Sequence, residues 1–188
     1  MIGYFQETPQ RETDLKFDSS SWDGQLENVA IFVDVQNIYY TTRERFSRHF
    51  DYRKFWAEVT QDRNVVKAIA FAIDRDDEKQ LAFQNILRGI GFEVKLKPFI
   101  RRGDGSAKGD WDVGITLDVL EYAPSADVVV LASGDGDFDL LVQKVREHHR
   151  VRVEVHGVAE LTAGSLIRAA NQFLPITDRL LLPANRPY

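Results

Sequence analysis

The chain has 188 residues, enough for one domain with a full core, and 44% of them are hydrophobic, as in ordinary globular proteins. It has no cysteine, which excludes disulfides and thiolate metal sites, and no apolar run near the roughly 20 residues of a membrane span. The net charge of −5 does not advertise nucleic-acid binding, but it is unevenly spread. No basic-then-apolar leader opens the chain, so a soluble, cytoplasmic protein without a membrane partner is the expectation.

Residues 1–28 hold six acids and two bases, a net −4, without sustained periodicity. They are expected to be an acidic N-terminal extension to a domain over 29–176, with a peripheral tail over 177–188. The first strand is Val29-Ala30-Ile31-Phe32-Val33, an apolar run typical of a strand buried on both faces, and it ends in Asp34. Asn37 follows three residues on. The next helix interleaves Tyr39, Tyr40 and Phe46 with Arg43, Arg45 and Arg48. That pattern stacks bases and grips phosphates in some proteins and is half core, half surface in others. Tyr52 to Val59 is a second helix. Val65 to Ile73 is a second strand, followed by an acidic helix start and an amphipathic helix over Glu78 to Leu87.

Phe92 to Lys97 alternates apolar and charged residues and is expected near a sheet edge. A glycine-containing basic loop then runs to Lys108. Residues 95–108 carry Lys95, Lys97, Arg101, Arg102 and Lys108 against Asp104 alone, a net +4 that suits a phosphate backbone. Its contrast with the acidic extension suggests that the extension screens the path of such a backbone. A helix over about Asp110 to Tyr122 is apolar on most of its circumference, so burial is expected. Asp112 lies in its first turn, where the helix dipole alone explains an acid. Asp118 lies in its middle and needs a cation, a basic side chain or a backbone donor as partner.

Val128 to Ala132 is the fourth strand, again continuously apolar, and it runs into Ser133-Gly134-Asp135-Gly136-Asp137 and a helix from Phe138. Val151 to Val155 alternates like an edge strand, and a helix over Thr162 to Asn171 follows. Strands alternate with helices, so a right-handed α/β sheet is expected. Five strands in the order 3-2-1-4-5 would bring Asp34 and Asp135 together at the switch point. Carboxylates brought together repel unless a proton or cation sits between them, and hard oxygen ligands suit Mg²⁺ or Mn²⁺.

With Asp34-Val35-Gln36-Asn37, Lys108-Gly109-Asp110-Trp111-Asp112…Asp118 and Ser133-Gly134-Asp135-Gly136-Asp137-Phe138 in this order, the chain resembles the NYN domain family. In particular it resembles the LabA-like branch of the PIN-like nuclease superfamily. The resemblance covers residues 29–176. It implies a PIN-like three-layer α/β/α sandwich with a mostly parallel five-stranded sheet, and a metal-dependent ribonuclease; the basic loop and nearby aromatics suit single-stranded RNA better than a duplex. By motif, Asp34, Asp112 and Asp135 would be the metal carboxylates, and Asp137 would join them in catalysis. Asn37, Asp110, Asp118 and Ser133 would support them, with either Asp110 or Asp112 as the helix ligand. Lys108, with Lys95, Lys97, Arg101 and Arg102, would hold RNA. A homo-oligomer stays open. The family's late Ala-Asp-x-Phe pattern appears here as Ala170-Asn171-Gln172-Phe173, with amide for acid.

Two other readings compete. One is a catalytically weak or inactive RNA-binding domain of the same family, because fold and ligands do not fix rate. The other is a different acid-site enzyme. A haloacid-dehalogenase-like phosphatase would want Asp-x-Asp where this chain has Asp34-Val35-Gln36, and a dinucleotide fold would want Gly-x-Gly-x-x-Gly after strand one. The four histidines, His49, His148, His149 and His156, are expected at the surface or at helix ends, away from the motifs.

Overall fold

The computed structural model describes residues 26–74, 78–98, 100–101, 107–108 and 110–184. The expected acidic extension falls on residues 1–25 for the most part, and Arg102 with them lies outside the described residues. The architecture is the expected α/β sandwich, with a larger sheet. Six parallel strands take the order β3-β2-β1-β6-β7-β8. They are β1 (Glu27–Asp34), β2 (Arg63–Asp74), β3 (Glu93–Pro98), β6 (Val128–Ala132), β7 (Arg152–Gly157) and β8 (Gln172–Pro175). The short ribbon between them pairs β4 (Ile100–Arg101) with β5 (Ala107–Lys108), antiparallel, where a loop was expected.

Because successive strand residues face opposite sides, each strand feeds two cores. Val29, Ile31, Val33, Ala70 and Val130 face one layer, built by α1 (Val35–Phe46), α2 (Tyr52–Val59) and α3 (Glu78–Ile90). Ala30, Phe32, Phe71, Val129 and Leu131 face the other, built by α4 (Asp112–Tyr122), α5 (Asp139–Lys144) and α6 (Gly164–Ala169). Phe32 is wholly buried, and truncating such a residue to Ala costs about 3–5 kcal/mol. β1 and β6 lie side by side at the centre, with Val33 opposite Ala132, so their C-terminal ends open at one edge.

Four expectations change. The sixth strand, β8, pairs with β7 and makes that strand interior rather than an edge. The alternation of β7 has another cause: Glu154 is buried and takes two hydrogen bonds from Arg63, at 2.9 and 2.7 Å, and Arg152 pairs with Glu27 at 2.8 Å. Helix α4 is buried on one side only; Val113 and Leu117 are 69% and 63% exposed, so its apolar circumference exceeds what the sheet covers. The segment after β8 is not all peripheral. Leu180 and Leu181 are buried, and the backbone N–H of Leu182 donates to the His49 carbonyl at 2.8 Å. Among the described residues no helix is long and apolar enough to cross a membrane.

Candidate metal centre

The site forms where three elements end or begin. Asp34 closes β1 and caps α1, its Oδ1 accepting from the Asn37 N–H at 3.0 Å. Ser133, fully buried just after β6, donates from Oγ to Asp34 Oδ2 at 3.3 Å and accepts from the Asp135 N–H at 3.2 Å. Asp135 in turn accepts from the Asp137 N–H at 3.0 Å. Asn37 crosses the same gap, its Oδ1 accepting from the Gly134 N–H at 2.8 Å. The two strand ends are thus tied together by side chains of the motifs themselves. Gly134 is required here, because a Cβ would stand 2.9 Å from the Leu161 carbonyl oxygen.

Asp112 arrives from the opposite side, in the first turn of α4. Trp111 sets it there. The indole Nε1 donates to the Ala72 carbonyl at the end of β2, at 2.8 Å, and the ring packs 5.3 Å from Phe71. Gly114 lets the indole lie against the helix, since a Cβ would come within 2.6 Å of it. Carboxylate oxygens of Asp112, Asp135 and Asp137 lie within 4.8 Å of one another. Asp34 lies outside that oxygen group, tied to it through Ser133, and is only 8% exposed. Burial pushes its carboxyl up to about 6; the Asn37 N–H and Ser133 hydroxyl oppose this, and the charges of Asp112 and Asp135 add to it. Asp112 is also raised, by burial first and then by Asp135, Asp110 and Asp137. None of the four carboxylates forms an ion pair among the described residues.

The other expected site residues divide. Asp110 is exposed and outside the oxygen cluster, so Asp112 is the helix acid that reaches it. Asp118 is buried and found its partner in a basic side chain: Lys95 Nζ donates to both its oxygens, at 2.9 and 2.8 Å. That pair satisfies Asp118 without a metal and engages Lys95, which was expected to hold RNA. Lys97 stays at the site. Its Nζ donates to the Asp110 carbonyl at 2.6 Å, lies 4.9 Å over the Trp111 ring, and its charge partly relieves Asp112. In the β4–β5 ribbon the backbone of Arg101 pairs with Ala107 and that of Lys108 with Ile100. Arg45 and Arg48, expected near stacked bases, form ion pairs with Glu160 and Asp178. Asn171, the amide in place of an acid, accepts from the Val153 N–H at 2.9 Å and serves the sheet.

Sequence reasoning passed over three residues. Trp111 was noted only as a spacer. Tyr52 is buried; burial raises its phenol and the nearby Asp34 carboxylate adds to the effect. His156 is 1% exposed in β7, not at the surface; its ring packs on Phe55 at 5.1 Å and both ring nitrogens lack a hydrogen-bond partner among the described residues. Its place inside an alternating strand was the signal.

Comparison with known proteins agrees with this geometry. The NYN domain family model matches residues 28–177. The chain is 25% identical over 158 residues to the Low amplitude and bright protein LabA of Synechococcus elongatus, covering 80% of this chain and 84% of that one. The crystal structure of a Vibrio parahaemolyticus protein of unknown function superposes with a TM-score of 0.80 at 55% identity, covering 84% of this chain and 98% of the other. With the family match spanning the whole sheet and both motif-bearing strand ends, the chain belongs to the NYN domain family.

Proposed function

We propose that this chain is a divalent-cation-dependent ribonuclease that hydrolyses phosphodiester bonds of single-stranded RNA at the Asp34, Asp112, Asp135 and Asp137 cluster. One observation carries the reading: the carboxylates of Asp112, Asp135 and Asp137 cluster at the C-terminal edge of the central strands, close enough to Asp34 to raise it, with no ion-pairing cationic side chain among the described residues. Such repulsion costs stability in a purely structural site and is relieved by a cation. The donors are all carboxylate oxygens, without sulfur or imidazole, which fits Mg²⁺ or Mn²⁺ rather than zinc.

Asp34, Asp112 and Asp135 would hold the ion. When bound, it supplies Lewis-acid polarisation of a phosphoryl oxygen and a more acidic water. The chain does the rest. Ser133 and Asn37 fix the rotamers of Asp34 and the loop that carries Asp135. Asp137 is the exposed member of the cluster and would accept the proton of an attacking water. Lys97, beside Asp112, steers a phosphate toward the cluster and offsets its negative charge. The test is cleavage of a labelled single-stranded RNA with Mn²⁺, Mg²⁺ or EDTA, beside Asp34→Asn and Asp135→Asn. Metal-dependent products lost in both variants support the reading. RNA bound without products by the folded protein would replace it with a non-catalytic RNA-binding domain.

A further inference from the structure

Next to the acidic cluster, on the other side of Asp34, α1 and α3 part to leave a cavity of about 370 Å³. This lies within the range of about 300–1,000 Å³ in which proteins bind small ligands or ligand moieties. Asp34 caps α1, and the next residues, Val35 and Gln36, line the cavity directly. Tyr52, whose phenol feels the Asp34 carboxylate, forms part of the wall. The cavity and the cluster therefore share one boundary.

The lining is aromatic and amide together. Tyr39, Tyr40, Tyr52 and Phe83 supply rings, and Gln36 and Gln84 supply side-chain amides. Tyr39 and Tyr40 are 45% and 49% exposed at the mouth, an unusual exposure for two adjacent rings. Gln84 is only 5% exposed and lines the cavity, so its amide is held at the wall. Amides at the wall favour a ligand with polar edges over an aliphatic one. An acyl chain would fill the space and offer Gln36 and Gln84 nothing to pair with. A nucleobase is planar, stacks on tyrosine rings, and carries donors and acceptors on its edge that match an amide.

We infer that the α1–α3 cavity receives one unstacked nucleobase of the RNA strand whose phosphate lies at the acidic cluster. This rests on the nuclease reading for its strand, and makes the cavity the element that favours particular nucleotides beside the cut. Stacking comes from Tyr39 and Tyr40, and edge recognition from Gln84. Lys79 adds positive charge at the mouth.

The test is abasic scanning with the full chain. Short labelled single-stranded RNAs, each with one abasic position, are titrated by fluorescence anisotropy in Ca²⁺, with cleavage in Mg²⁺ measured separately. One position should weaken binding about tenfold when its base is removed, the loss of a single base stack. The Tyr39→Ala/Tyr40→Ala variant should lose the same factor on intact RNA and become indifferent to the abasic position. Both rings are partly exposed, so its melting temperature checks that it folds. Gln84→Leu, close in volume, should keep affinity but flatten the preference among bases. Equal affinity for every abasic RNA, or a double tyrosine variant that binds intact RNA as the wild type does, overturns the inference. Cleavage that persists under that second result leaves the nuclease reading standing. Conversely, Tyr39- and Tyr40-dependent binding of a ribonucleoside 5′-monophosphate, with no RNA bound or cut, keeps the cavity as a nucleotide site and removes the nuclease reading.

Discussion

At the N-terminal edge of the sheet, Arg63 meets Glu154 at 2.7 Å and Arg152 meets Glu27 at 2.8 Å, so each buried or half-buried charge faces its opposite. At the C-terminal edge, Asp112, Asp135 and Asp137 face one another beside Asp34, and no cation of the chain bonds to these four among the described residues. Both edges carry charges out of bulk water. The first edge satisfies them internally, lowering the Glu27 and Glu154 carboxyls. The second raises Asp34 and Asp112. The difference separates two ways of placing charge: at one edge the fold supplies the counter-charge, and at the other no described side chain does, which is the gap the proposed cation would fill.

The contrast can be broken by substitution. Asp112→Asn or Asp135→Asn should lower metal-dependent RNA cleavage at least about 1,000-fold, read as initial rates on labelled RNA. Neither should lower the melting temperature, because each removes repulsion. Glu154→Ala should do the reverse. It strands Arg63 and should cost about 3 kcal/mol in urea unfolding, with cleavage per folded molecule retained.

The pH dependence has two opposing parts. His156 is held down to about 4 by burial, below its ordinary 6.5, with Glu154 opposing the shift. Its stability contribution is therefore full above pH 6.5 and is lost as pH falls toward 4, by up to roughly 3 kcal/mol. His156→Leu should flatten that acid limb in thermal melts. Asp34 has the other sign. Its raised carboxyl favours folding below pH 3.8, and that contribution is lost as pH rises through about 6. Asp34→Asn should then be more stable than the wild type by roughly 3 kcal/mol at pH 8, and no more stable below pH 4. Added Mg²⁺ or Mn²⁺ should close the gap at pH 8 by stabilising the wild type alone.

Much of this architecture was legible before folding because its strands are simple. Val29–Val33 and Val128–Ala132 are apolar at every position, as a sheet covered on both faces demands. Asp34 and Asp135 then follow from where those runs stop. Long-range pairing was harder to see. The alternation of Val151 to Val155 has the period of an edge strand, and only the distant Arg63 and Glu27 make its polar half internal. Asp118 posed the right question, a buried acid in search of a partner, but Lys95 lies on another element and periodicity does not choose between it and a metal. Trp111 was unreadable for the same reason: its hydrogen bond to Ala72 spans 39 residues. The aromatic pair Tyr39 and Tyr40 was visible, while the cavity they border exists only once α3 packs beside α1.

The central claim is that the C-terminal edge lacks a positive charge that a divalent ion supplies. Titration of the wild type and Asp135→Asn with Mn²⁺ at pH 8, followed by electron paramagnetic resonance of the free ion, tests it most directly. The account predicts saturable binding by the wild type that weakens at least about tenfold in the variant. Mn²⁺ left free by the folded wild type, or bound equally by both proteins, would contradict it.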